Sequence, residues 1–318
     1  MKNELPQGYS MRAATMDDAQ AVTDLIVACD IEEFGRPEYA LEDLLAMWRR
    51  KNFDLENDAW LIFASDGTLA GYMDMYHRGD VVQLNNNSCV HPAHKNRGIE
   101  EWMLERAEEW AREHATEEPI VIRHVVNANA PARVARMERW GYDAVRQAWI
   151  MHIDLDKQPA APIVPEGIVV RAFERGRDER AAWSCIQEAF RDLWQHQDVP
   201  YDEWASYVLE HKAWSPELSY LAFDGDEIVG TTITLNDELG GWMQQVAVRR
   251  PWRNRGIALA LLQTVFGELY RRGVPDAGLE VDSANPSGAL RVYERAGMRV
   301  KDHFTEFRKE LAPVPTPV

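Results

Sequence analysis

Val246-Ala-Val-Arg-Arg-Pro-Trp-Arg-Asn-Arg-Gly-Ile-Ala258 is the stretch on which the reading of this chain turns. An apolar run ends at Val248 and a basic turn follows. From Gly256 onward Ile257, Leu261, Leu262, Val265 and Leu269 recur at helical spacing. A strand that turns straight into a helix presents unpaired backbone N–H groups at the positive end of the helix dipole, which suits a phosphate. Gly256 and the small Ala258 let ligand oxygens come close to that backbone. Arg249, Arg250, Arg253 and Arg255 crowd into this one turn. An ordinary helix start with a solvated basic turn has the same local look, so the surroundings must decide.

Working outward, the turn occurs twice. Val90, Asn96, Arg97, Gly98 and Ile99 recur 158 positions later as Val248, Asn254, Arg255, Gly256 and Ile257. Met11-Arg12-Ala13 recurs as Val170-Arg171-Ala172, Asp66-Gly67 as Asp224-Gly225, and Asn129 and Gly141 as Asn285 and Gly297. A repeat whose offset drifts by only three over the whole half means two homologous domains in tandem. The expected division is residues 1–157, a Pro/Ala linker over 158–167, residues 168–312, and an irregular tail over 313–318. Within the second copy the patterning predicts strands near 168–173, 218–223, 227–235, 241–248 and 277–281. Helices are expected near 179–193, 201–209, 256–271 and 287–296, with a closing strand to Leu311. The first copy follows suit, with its main helix over about 98–114. The fold class is α/β in the α+β sense: each domain a mixed, largely antiparallel sheet flanked by helices.

Composition narrows the function. The 318 residues are 46% hydrophobic and carry a net charge of −17. That balance repels nucleic-acid duplexes and anionic membranes and mildly favours cationic partners such as amines. Cys29, Cys89 and Cys185 are an odd set with no CxxC pair, which argues against a disulfide framework or zinc knuckle. No histidine pair has metal-ligand spacing, so no metal is expected. The polar start Met1–Ser10 and the lack of a long apolar run point to a soluble, cytoplasmic protein.

Arg253-x-x-Gly256-x-Ala258 resembles the Arg/Gln-x-x-Gly-x-Gly/Ala turn of the GCN5-related N-acetyltransferases. A second motif of that family follows about 35 residues on, with Asn285, Ala289, Tyr293 and Gly297 in the expected order. The resemblance covers 168–311 well and 11–155 more faintly, and the tandem plan resembles mycothiol synthase-like acetyltransferases. It implies acetyl-CoA as cosubstrate, with the pyrophosphate on Arg253, Asn254, Arg255, Gly256, Ile257, Ala258 and Leu259. The pantetheine arm would lie along Val246, Ala247 and Val248 and meet the Asn285 amide. Tyr293 matches the tyrosine that protonates the departing thiolate; a phenol with a pKa of about 10 is a proton donor at neutral pH. A structural tyrosine packed beneath the cofactor is the bland alternative.

The first copy departs from the pattern. Its turn reads Lys95-Asn-Arg-Gly98-Ile-Glu100, Met137 stands for the tyrosine and Arg133 for Ala289. A like charge about 5 Å from a phosphate costs roughly 3 kcal/mol at an effective dielectric near 20, on the order of a hundredfold in affinity. The first domain is therefore expected to bind no CoA productively. For the general base the strand Gly240–Val248 offers no acid. Asp282 is the nearest candidate, as base or substrate anchor, with Glu280, Asp237 and Glu238 behind it; a water chain or an already neutral amine is the competing reading. Trp194 and His196 end a helix that shapes the acceptor pocket in this family, although a core tryptophan at a helix end explains them too. Asn85–Asn87 reads as an exposed edge. The expected activity is direct acetyl transfer to a small-molecule primary amine, as monomer or homodimer. A peptide or protein N-terminus and a non-catalytic acyl-CoA sensor are the alternatives.

Overall fold

The computed structural model of the chain describes residues 4–50, 52–78, 81–84, 88–114, 120–194 and 196–311. Asn85–Asn87 and the tail 313–318 lie outside them. The strands are β1 (Tyr9–Ala13), β2 (Ala59–Ala64), β3 (Leu69–Arg78), β4 (Val81–Leu84), β5 (Cys89–Val90), β6 (Ile120–Asn127) and β7 (Asp143–Asp154). In the second half they are β8 (Ile168–Ala172), β9 (Tyr220–Asp224), β10 (Glu227–Asp237), β11 (Gly240–Val248), β12 (Asp276–Asp282) and β13 (Arg299–Leu311). Helices fall where periodicity placed them, including Ile99–Glu113 and Ile257–Arg271. The helix expected over 179–193 stops at Phe190.

Two compact units result, but not the two halves of the sequence. One comprises residues 1–146 with 304–318; the other comprises 147–303. In the first, β1, β2, β3 and β4 are antiparallel neighbours, β4 runs parallel to β6, and β6 is closed by β13 from the far end of the chain. In the second, β8, β9, β10 and β11 are antiparallel, β11 runs parallel to β12, and β12 is closed by β7. Each sheet thus takes its last strand from the other half, and the division at 158–167 does not coincide with the structural one. The repeat explains it: β7 and β13 are equivalent strands, so either can satisfy either edge.

In the second unit Ile257–Arg271 lays Leu262, Val265, Phe266 and Leu269 against Met243, Leu279 and Val281, all buried. Burying side chains of this size is worth roughly 1.5–3 kcal/mol each. On the other face, Glu179–Phe190 and Tyr201–Val208 pack Cys185, Ile186 and Trp204 on Leu221, Ile233 and Ala247. The borrowed strand contributes Met151 and Ile153 to the first of these cores, and Leu155 follows it, donating its N–H to Pro275 O at 2.7 Å. Residues 168–312 alone would lose all three, at roughly 2–5 kcal/mol per large core side chain, against total domain stabilities of about 5–15 kcal/mol. That fragment is expected to show no cooperative melt by circular dichroism. A two-state melt close to that of the full chain would mean that β13 folds back to replace β7.

Candidate functional site

The site is built where β11 gives way to the helix Ile257–Arg271. β11 pairs with β12 only at Gly241–Ala277 and Trp242–Gly278; beyond that the two parallel strands separate. On its other side β11 stays paired with β10 as far as Val248. Its register jumps between Gln245 and Met243, leaving Gln244 as an extra, bulged residue. A bulge bends and twists its strand, here just where the separation from β12 begins.

Which backbone groups face the gap follows from alternation. Arg249 donates its N–H to Val229 O at 2.9 Å, so Arg249 and Ala247 bond toward β10. Val246 and Val248 therefore point their N–H and C=O groups to the opposite edge, into the gap. Neither N–H meets an acceptor among the described residues, and Val248 O accepts only from Arg253 Nε, at 3.2 Å. Unpaired strand groups of this kind are an open invitation to an extended ligand.

The turn itself has a special backbone. Asn254 has φ 60° and Gly256 φ 88°, both left-handed, and Gly256 stands immediately before the helix. A Cβ at Gly256 would meet nothing nearer than Pro165 Cγ at 3.8 Å, so glycine is required by conformation and not by crowding. The first backbone N–H of the helix to find a backbone acceptor is that of Ala260, on Gly256 O at 3.0 Å. The N–H groups before it are the free donors of a helix start. A cleft of about 430 Å³ opens here, lined by Asp192, Arg250, Arg253, Asn254, Pro286 and Ser287. It brings the turn together with the segment that follows Asn285.

The four arginines do not act as a block. Arg249 is 15% exposed and paired with Glu188 and Glu227, while Arg253, 18% exposed, is held by Asp192 at 2.5 Å and by Ala189 O at 2.7 Å. Arg250 (76% exposed) and Arg255 (55%) face solvent, near Asp192 and Asp224 respectively. Four acids thus answer four arginines. The attraction for an anion rests on oriented N–H groups and the helix dipole, with the two exposed guanidinia in support.

Tyr293 lies on the helix Ala289–Arg295 and is buried in the core that also holds Val265, Phe266 and Val281, against which Val246 packs. Its hydroxyl meets no partner among the described residues, and burial pushes the phenol up to about 12. It stays protonated at neutral pH. Asn285 folds its Oδ1 back to accept from Ser287 N at 2.9 Å and Ser287 Oγ at 2.6 Å. Asp282 ends β12, where Oδ1 accepts from Ala284 N at 3.0 Å and its carbonyl from Asn285 N at 3.0 Å. It is a turn-former for Asn285. Trp194 is 43% exposed, so the core-tryptophan expectation fails; His196 sits beside Asp198 at 3.3 Å. Two contacts had no signal in the pattern: Trp204 Nε1 donates to Gln245 Oε1 at 3.0 Å, and Gln244 Nε2 to Tyr207 Oη at 3.4 Å. They tie the helix Tyr201–Val208 to the bulge.

The first unit repeats the turn, with Asn96 at φ 59° and Gly98 at φ 86°. There the Asn96 N–H is taken by Glu100 Oε1 at 3.3 Å, and Arg136 reaches the same oxygen at 3.4 Å. The chain supplies its own anion. Met137 is buried in the place of Tyr293. Asn127 ends β6 as Asp282 ends β12 and makes the same turn: its Oδ1 accepts from Asn129 N at 2.9 Å, and its carbonyl from Ala130 N at 3.0 Å.

This duplicated geometry has a counterpart among known proteins. The model of the acetyltransferase (GNAT) family matches residues 19–142 and again 181–298. The chain belongs to the GNAT acetyltransferase family. A GCN5-related N-acetyltransferase from Sphaerobacter thermophilus is 38% identical and superimposes with a TM-score of 0.82, covering 98% of each chain. A tandem GNAT protein from the clavulanic acid biosynthesis pathway shares the fold at 16% identity, TM-score 0.75, over 96% of this chain and 99% of the other. Among curated proteins, a mycothiol acetyltransferase of Actinosynnema mirum is 29% identical over 75% of this chain and 80% of its own length. Another from Streptomyces scabiei is 32% identical over 49% and 50%. Among the described residues no helix is long and apolar enough to cross a membrane, and no group of three or more acidic, histidine or cysteine side chains is placed to hold a metal ion.

Proposed function

We propose that this GNAT protein transfers an acetyl group from acetyl-CoA directly to a small-molecule primary amine, at a single site in the unit 147–303. The observation that carries the reading is the open edge at Val246 and Val248 beside a helix start whose N–H groups are free. The donor set fits the ligand: N–H groups of residues 254–259 for the pyrophosphate, the Arg253 N–H being taken by Arg250 O at 3.2 Å, with the Asn285 amide and the Val246–Val248 edge for the pantetheine arm. Bound acetyl-CoA supplies the activated thioester. The Val248 N–H polarises its carbonyl. As the amine nitrogen forms the C–N bond and the C–S bond breaks, Tyr293 gives its proton to the thiolate; solvent takes the proton lost by nitrogen and returns one to the phenolate. Asp282 fixes the turn that carries Asn285 and is not assigned as base; a neutral amine needs none.

Direct transfer is supported by Cys185. It is buried in Glu179–Phe190, with its thiol pushed up to about 12 by burial, so it is no nucleophile. Relatives named mycothiol acetyltransferase favour a small acceptor over a peptide. A thiol-release assay with acetyl-CoA and a library of primary amines tests the proposal. Amine-dependent release with small amines is expected. Tight CoA binding without release to any amine would leave a sensor instead.

A further inference from the structure

We propose that Asp192 is a positioning residue which, through Arg253 and the Val248 carbonyl, fixes the edge of β11 that carries the Val248 N–H. The inference rests on the assignment of the Val248 N–H as the donor to the acyl carbonyl. Asp192 follows the helix Glu179–Phe190, and its two oxygens are divided: Oδ2 accepts from Arg253 at 2.5 Å and Oδ1 from Arg250 at 2.8 Å. Two further donors of Arg253 reach Ala189 O at 2.7 Å and Val248 O at 3.2 Å. A strand residue projects its N–H and C=O from the same edge. Arg253 therefore grips the very edge that an acyl group would meet, and leaves the N–H beside it open. A guanidinium held at three points is fixed, whereas one that has lost its carboxylate can rotate away from Val248. The hydrogen bond from Arg253 also holds the Asp192 carboxyl below the usual carboxylate range, so it is charged at any working pH.

The first unit acts as an internal control. Lys95, at the position of Arg253, pairs with Glu32 on the helix Ala19–Phe34, so the acid–base clamp recurs. Yet the carbonyl of Val90, the counterpart of Val248, accepts from Cys29 Sγ at 3.3 Å and not from Lys95. The clamp is common to both units. Its extension to the strand carbonyl occurs only where the turn is left free of a carboxylate and the tyrosine is kept. Asp192 also lines the anion cleft. There its charge opposes incoming phosphates and engages Arg250, so it weakens binding while it holds the edge of β11.

That opposition gives a distinctive test. Acetyl-CoA labelled with ¹³C at the carbonyl is bound to the full chain, and the carbonyl stretch is read by infrared difference spectroscopy. Kd is measured by calorimetry, and amine-free hydrolysis of acetyl-CoA gives a rate. In the native protein the bound carbonyl band is expected at lower frequency than in water. In Asp192→Asn this shift should largely disappear and the hydrolysis rate fall on the order of tenfold or more, while Kd stays equal or tightens. Asp192→Glu should restore band and rate, and thermal melts confirm that both variants fold. An unchanged band and rate in Asp192→Asn overturns the inference. So does a Kd weakened in step with the rate, which would report collapse of the turn. A native chain that binds acetyl-CoA with no carbonyl shift overturns the Val248 assignment itself, and this inference with it.

Discussion

Replacing Tyr293 with phenylalanine is expected to lower the rate of acetyl transfer by roughly 10²–10⁴-fold, the range for loss of a positioned general acid, with the Kd for acetyl-CoA unchanged. The substitution is close to a pure deletion of a proton. The ring is buried in the core between β12 and the helix Ile257–Arg271, and its hydroxyl has no partner among the described residues to lose. Removing it should therefore alter stability by about 1 kcal/mol or less, and a melt near the native one is the control. The pH dependence follows from the same burial. With its phenol pushed up to about 12, Tyr293 keeps its proton across the range where primary amines lose theirs. The rate should rise with pH as the acceptor becomes neutral. The falling limb, where Tyr293 itself ionises, should lie beyond ordinary assay conditions. A phenylalanine variant as fast as the native protein with every amine would remove the tyrosine from the chemistry.

How far the sequence carried this picture depends on the range of each interaction. The turn, its left-handed glycine and the amphipathic helix after it are local, and Gly256, Ile257 and Leu261 announce them within a few residues. The repeat was legible for the same reason, since it compares local signals with one another. The exchanged strands were not. Because β7 and β13 descend from the same strand, their patterns suit either sheet, and only pairing of Met151 with Leu279 or Phe307 with His124 reveals which edge each closes. Counting arginines overstated the charge of the turn: composition records Arg249 and Arg253 as cations but not that both face inward onto acids far away in sequence. Asp192 gave no signal, being one acid among 52. The general base stayed invisible at both levels, in keeping with an acceptor that arrives neutral.

The central claim is that one of two copies of the same turn takes the cofactor, and that a single carboxylate marks the difference. Glu100 accepts from Asn96 N in the first copy, whereas Ala258 leaves the equivalent Asn254 N–H free. Ala258→Glu transplants that carboxylate. At about 5 Å from a phosphate and an effective dielectric near 20 it opposes binding by roughly 3 kcal/mol, on the order of a hundredfold in Kd. The most direct measurement is calorimetric titration of acetyl-CoA into the full chain, native and Ala258→Glu, reading both stoichiometry and affinity. One equivalent bound by the native protein, weakened about a hundredfold or lost in the variant, is the result predicted here. Two equivalents, or one that Ala258→Glu leaves untouched, would contradict it and return the first unit to the chemistry.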